Sequence, residues 1–250
     1  LFELLSGPDE VWKGVLIVNA LFWAGTFYLL NEVLRNALPS VAVPRRILAI
    51  VVSATYPAWV VMAGYAFSQS AFVFFYTAST LALFRWTPEK PTSLLLHSGL
   101  VGFLFWIHPT AAGVLVASTL VVGVGSWVAG QYRSLGLHLT LVLVLVIGYK
   151  TGIQTWMMNE MTPAGYVSRV HYPSFAMVAA AVADARFWRD WILVIVGQFA
   201  YLSIATFGFF VAGVFQLGKT GFSQTYLTRT APRSDEFGRA LVSVFILISL

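Results

Sequence analysis

The chain is 250 residues long, 58% hydrophobic and 10% charged, whereas an ordinary soluble domain is about 45–50% apolar and about 25% charged. So few charges cannot cover a globule of this size with polar atoms, which excludes a soluble enzyme, a nucleic-acid-binding domain and a disordered chain. The net charge of +5 and the pI near 9.6 read instead as Lys and Arg placed in the cytoplasmic loops of a polytopic membrane protein.

A helix crossing a hydrocarbon core of about 30 Å needs about 20 mostly apolar residues. The first such run extends from about Val11 to Leu34, with Trp12 and Lys13 at its outer edge. After Arg45 and Arg46 an apolar stretch continues to Trp86, too long for one crossing; Phe67-Ser68-Gln69-Ser70 is expected to break it into two spans joined by a tight outer turn. A fourth span is expected over Thr92–Ile107, a fifth over Thr110–Gly130, a sixth over Leu137–Met157 and a seventh over Trp191–Leu217. An eighth begins near Arg239, and Leu250 lies inside it. The predicted fold is therefore all-α, a transmembrane bundle of about seven full spans plus a truncated eighth, forming a single domain over residues 1–250.

Basic residues orient this bundle. With the N-terminus outside, the inner loops hold Arg35, Arg45, Arg46, Arg85, Lys90, Arg133, Lys219, Arg229, Arg233 and Arg239. The outer side holds Lys13, Lys150, Arg169, Arg186 and Arg189. Ten against five satisfies the positive-inside rule. Leu1 is not a start methionine and the last apolar run is half a span long, so we expect a fragment of a longer protein, truncated at both ends.

Ionisable and polar groups at membrane depth are costly and mark candidate sites. His108, at the outer end of the fourth span and followed by Pro109, can bond a phosphate or a sugar hydroxyl; the alternative is a headgroup-level ring bonded to water. Ser68 and Gln69, after Tyr65, offer donors and acceptors for sugar or acceptor hydroxyls, against the alternative of a plain hydrogen-bonded turn. The long outer loop, residues 159–190, carries Arg169, His171 and Tyr172, groups suited to a phosphate at the membrane surface. Lys150, in the outer half of the sixth span, can snorkel toward the same level. Within that loop, Ser174–Arg189 has the spacing of an interfacial amphipathic helix. Polar groups are thus expected at the outer ends of the spans. The chain has no cysteine, and it shows no phosphate loop, no zinc-protease motif and no carboxylate cluster; no cofactor is visible and a divalent metal has no support.

Several short motifs resemble the GT-C superfamily of multispan glycosyltransferases. These are Gly7-Pro8-Asp9-Glu10 before Val18-Asn19-Ala20-Leu21-Phe22, then Ala54-Thr55-Tyr56-Pro57-Ala58, then Gly64-Tyr65-Ala66-Phe67-Ser68-Gln69-Ser70. His108-Pro109-Thr110, Gly197-Gln198-Phe199-Ala200-Tyr201 and Ala205-Thr206-Phe207-Gly208 are similar to this group as well. The resemblance implies an enzyme of the cell envelope that moves a sugar from a polyprenyl-phosphate donor to an acceptor on the extracytoplasmic face of the cell membrane. It also implies membrane lipid as surroundings and no nucleic-acid partner. The family's catalytic Asp or Glu lies in a first outer loop that would precede Leu1, so the catalytic residue is unknown, and Gln69 stands where the family often has Glu. His108, Lys150, Arg169, His171 and Tyr172 are then the candidates for holding the donor phosphate. A transporter or flippase of a lipid-linked substrate, and a non-catalytic membrane subunit, are the alternatives.

Overall fold

The computed structural model describes residues 8–37, 41–54, 67–86, 91–108, 111–128, 130–156, 180 and 183–205. It is all-helical over these residues. The helices are α1 (Pro8–Ala37), α2 (Val43–Ala54), α3 (Phe67–Phe84), α4 (Pro91–Ile107), α5 (Ala112–Val128), α6 (Tyr132–Gly148) and α7 (Ala185–Ala205). Helix α6 continues through a π-helical turn, Tyr149–Ile153, into Gln154–Trp156.

Side-chain pairs fix the helix directions. Phe22 meets Phe74, with ring centroids 5.4 Å apart, and ten residues further on Glu32 meets Arg85 at 3.5 Å, so α1 and α3 run parallel. Phe75 stacks edge-on against Phe103 at 5.0 Å and the Ser79 carbonyl meets His97, so α4 runs back against α3. Helix α6 runs parallel to α4, from the Ser98–His138 contact to the Trp106–Tyr149 contact, and α5 is antiparallel to both. The result is a bundle with two distinct ends, one carrying His108 and the other Arg85.

Burial shows which surfaces these helices need. Leu83, Trp86, Leu94, Val101, Leu104, Val114 and Val121 form a buried cluster between α3, α4 and α5. Elsewhere the apolar faces point outward: Ile17, Leu21, Leu143 and Val144 are each about 60% exposed or more. Two helical stretches, Trp12–Asn36 and Tyr132–Trp156, are long and apolar enough to cross a membrane, yet only 17% and 11% of their most apolar windows is buried. A core helix of a soluble protein would be mostly buried; these place hydrocarbon on the perimeter, where lipid rather than water suits it. Pro91–Ile107 and Ala112–Trp127 are apolar but shorter.

Several hydroxyls bond back to a carbonyl of their own helix. Thr77, Ser79 and Thr80 of α3 donate to the carbonyls of Val73, Tyr76 and Tyr76 at 2.8–2.9 Å, and Thr26 donates to Phe22 in the same way. Close helix approach uses glycine: a Cβ at Gly102 would lie 2.6 Å from Leu145 Cδ1 on α6 and 3.0 Å from its Cβ. Gly102→Val should therefore cost about 1–3 kcal/mol by overpacking, read as a lower melting temperature in detergent. Gly113→Ala, where an added Cβ meets nothing, should leave it unchanged or slightly raised.

Three expectations are corrected. Phe67-Ser68-Gln69-Ser70 is the first turn of α3 rather than a tight turn between helices; its Ser and Gln resemble turn residues, but a helix start leaves N–H groups that such side chains can serve. Helix α6 begins at Tyr132, earlier than the apolar run that suggested Leu137. Residues 185–189, assigned to an interfacial helix, belong to the same helix as the expected seventh span. Asp184 starts that helix, its Oδ1 accepting the Arg186 N–H at 2.8 Å, in the manner of an N-cap. The rest of the loop 159–190, apart from residues 180 and 183–184, and the eighth span lie outside the described residues.

Candidate functional site

At the His108 end, α3, α4 and α6 bring four of the expected polar groups together. His108 closes α4, its N–H donating to Leu104 O at 3.0 Å, while its own carbonyl accepts from Ala111 N–H at 3.0 Å. The half-buried ring lies edge-on to Phe72 of α3, with centroids 6.5 Å apart. One turn before Phe72 along α3 lies Ser68, half-buried, next to Gln69, which is exposed. Ser68, Gln69 and His108 therefore share one rim.

Helix α6 reaches the same rim through its π turn. Trp106 Nε1 donates to Leu145 O at 2.8 Å, and Tyr149 packs edge-on against Phe105 at 5.5 Å. Lys150 follows Tyr149 and is exposed. The wider turn is held by Gln154 N–H donating to Tyr149 O and by Thr155 Oγ1 donating to Lys150 O at 3.1 Å. Such π turns shift the register of the side chains beyond them and are frequent at functional sites. The rim thus combines an ammonium, an imidazole, an amide and a hydroxyl with an aromatic wedge, a set suited to a phosphate and sugar hydroxyls. Tyr65, Arg169, His171 and Tyr172 lie outside the described residues.

A second polar constellation lies inside the bundle, which departs from the expectation that polar groups gather at the outer ends of the spans. His97 on α4 and His138 on α6 are fully buried, with nearly parallel rings 6.1 Å apart between centroids. Both sit about 9 Å along their helices from the Arg85 end, at 1.5 Å per residue. His97 Nδ1 lies 2.9 Å from Ser79 O, and a carbonyl only accepts, so Nδ1 carries the proton. Its Nε2 then accepts from Ser118 Oγ at 2.7 Å. Ser98 Oγ donates its one proton to Leu94 O at 2.7 Å, so His138 Nδ1 donates to Ser98 Oγ at 2.7 Å. His138 Nε2 accepts from Thr119 Oγ1 at 3.3 Å. Each ring is thus assigned as the same neutral tautomer, from hydrogen-bond logic, and α3, α4, α5 and α6 are tied into one network. Among the described residues, no three His, Asp or Glu side chains gather in a way that could hold a metal ion.

Sequence reasoning passed over His97, His138 and the buried Glu32, which are single polar residues inside apolar runs. Single ionisable residues inside apolar runs were the signal; their partners, up to 53 residues distant, were not readable from spacing. No known protein family, curated protein or solved structure matches this chain.

Proposed function

We propose that this chain is the multi-pass membrane part of a GT-C-like glycosyltransferase, moving a sugar from a polyprenyl-phosphate donor to an acceptor on the extracytoplasmic side. The observation that carries this reading is the rim of His108, Ser68, Gln69 and Lys150 at one end of a bundle whose perimeter is apolar. A polyprenyl tail is too apolar for water and belongs against such a perimeter, with its phosphate at the level of the rim. The alternating helix directions fit repeated crossings, and the Arg85 end, which also carries Arg35 and Arg133, fits the cytoplasmic side.

In this reading a carboxylate base outside the described residues takes the proton of the acceptor hydroxyl. The acceptor oxygen attacks the anomeric carbon, and the bond to the polyprenyl phosphate breaks with its electrons leaving on the phosphate oxygen. Lys150 and His108 hold the negative charge that grows there, Lys150 as a point charge and His108 as a ring N–H donor. Gln69 and Ser68 orient sugar hydroxyls. Membranes containing the full-length protein should transfer labelled sugar from a polyprenyl-phosphate donor to an added acceptor; no transfer under conditions of proven donor binding would contradict the proposal.

The His97–His138 network favours a second reading, a transporter of a lipid-linked substrate, because buried histidines within a bundle are used in substrate and proton pathways. Movement of the labelled donor across proteoliposomes without sugar transfer would decide for it.

A further inference from the structure

The Arg85 end holds cations that neither the proposed chemistry nor helix packing uses up. Glu32, buried near the end of α1, accepts from Arg35 at 2.5 Å and Arg85 at 3.5 Å, yet those arginine side chains remain 57% and 53% exposed. Helix α2 then begins beside α1 with Arg45 and Arg46, neither of which forms an ion pair among the described residues. Arg45 is exposed. Arg46 is half-buried, and its buried Nε has no hydrogen-bond partner among the described residues, a donor that needs an acceptor. From these arginines a stripe of exposed Ile47, Leu48 and Val51 leads away along α2; Arg45 and Leu48 are three residues apart and lie on one face.

We propose that Arg45 and Arg46, flanked by Arg35, bind the phosphate of an anionic membrane lipid whose acyl chain covers the α2 stripe. The charge complementarity is direct: among the described residues this end carries five arginines, Arg35, Arg45, Arg46, Arg85 and Arg133, against one carboxylate, Glu32. A free phosphate would satisfy the guanidinium groups but leave Ile47, Leu48 and Val51 uncovered, so the occupant is a lipid. Exposed Trp127 and Tyr132 at the same end suit the headgroup level at which such a phosphate lies. The inference rests on the membrane-spanning reading above and is independent of glycosyl transfer.

The test uses the full chain in nanodiscs of equal phosphatidylglycerol and phosphatidylcholine, with retained lipids counted by native mass spectrometry after gentle extraction. Wild type should retain phosphatidylglycerol in preference. Arg45→Gln/Arg46→Gln should reduce that preference by about tenfold, while Lys13→Gln, at the other end, should not. An unchanged preference in the double variant overturns the site, and so does displacement of the lipid by equimolar water-soluble glycerol phosphate. Release of the chain by alkaline washing would remove the membrane reading itself, whereas a retained chain without lipid preference sinks this site alone.

Discussion

His97→Ala should lower the unfolding free energy in detergent by about 3 kcal/mol. The ring is fully buried, so its removal leaves a cavity, and large-to-small core changes cost about 2–5 kcal/mol. It also strands Ser79 O and Ser118 Oγ, at about 1–3 kcal/mol for each buried group left unpaired. Hydrogen bonds between membrane helices average only about 0.6 kcal/mol in cycles, because the separated helices find other partners; the stranded groups therefore add little, and the loss stays within the range of the cavity alone. Ser118→Ala removes one bond and little volume, and should cost about 1 kcal/mol. A His97→Ala protein as stable as wild type would show that the four-helix network does not hold the bundle together.

The second large effect concerns the rim. In the full-length protein, Lys150→Ala should weaken polyprenyl-phosphate binding by about tenfold or more, since a hydrogen bond to a charged group contributes about 1.5–3 kcal/mol and each 1.4 kcal/mol is tenfold. Lys150→Arg should restore part of the loss, because charge is kept while the flexible ammonium is replaced by a planar fork. His108→Ala should lose less, the ring supplying an N–H donor where Lys150 supplies a full ammonium. Gln69→Ala should leave affinity for a bare polyprenyl phosphate unchanged and weaken only the sugar-bearing donor. Equilibrium binding of labelled polyprenyl phosphate and of its sugar derivative checks all four variants. Wild-type affinity in Lys150→Ala would take the phosphate away from this rim.

Much of the helical layout was legible because long apolar runs report burial or lipid contact directly. The first expected span, Val11–Leu34, lies within α1, and the fourth, Thr92–Ile107, coincides with α4 except for its first residue. Helix ends were harder. Polar residues such as Ser68 and Gln69 serve a helix start as readily as a turn, and Tyr132 to Gly136 lack the apolar density that marked the sixth span. The π turn at Tyr149–Ile153 has no composition signal; beside it Trp106 bonds across to Leu145 O. The His97–His138 network was invisible because each ring reads as an isolated polar residue until two other helices bring its partners, Ser79 and Ser118 to His97, Ser98 and Thr119 to His138. At the rim, chemistry suggested His108, Lys150, Ser68 and Gln69 separately; the Phe72–His108 and Trp106–Tyr149 contacts are what join them at one end.

Helix α6 offers the most direct test, because one helix carries both ends of the claim and the chain has no native cysteine. Gly152→Cys, at a position where an added side chain meets nothing, lies at the rim; Tyr132→Cys, 64% exposed in the native residue, lies at the other end. In intact cells a membrane-impermeant maleimide should label the first variant readily and the second only after permeabilisation. Equal labelling of both from outside, or labelling of Tyr132→Cys alone, would contradict a bundle that crosses the membrane with its His108 rim extracytoplasmic.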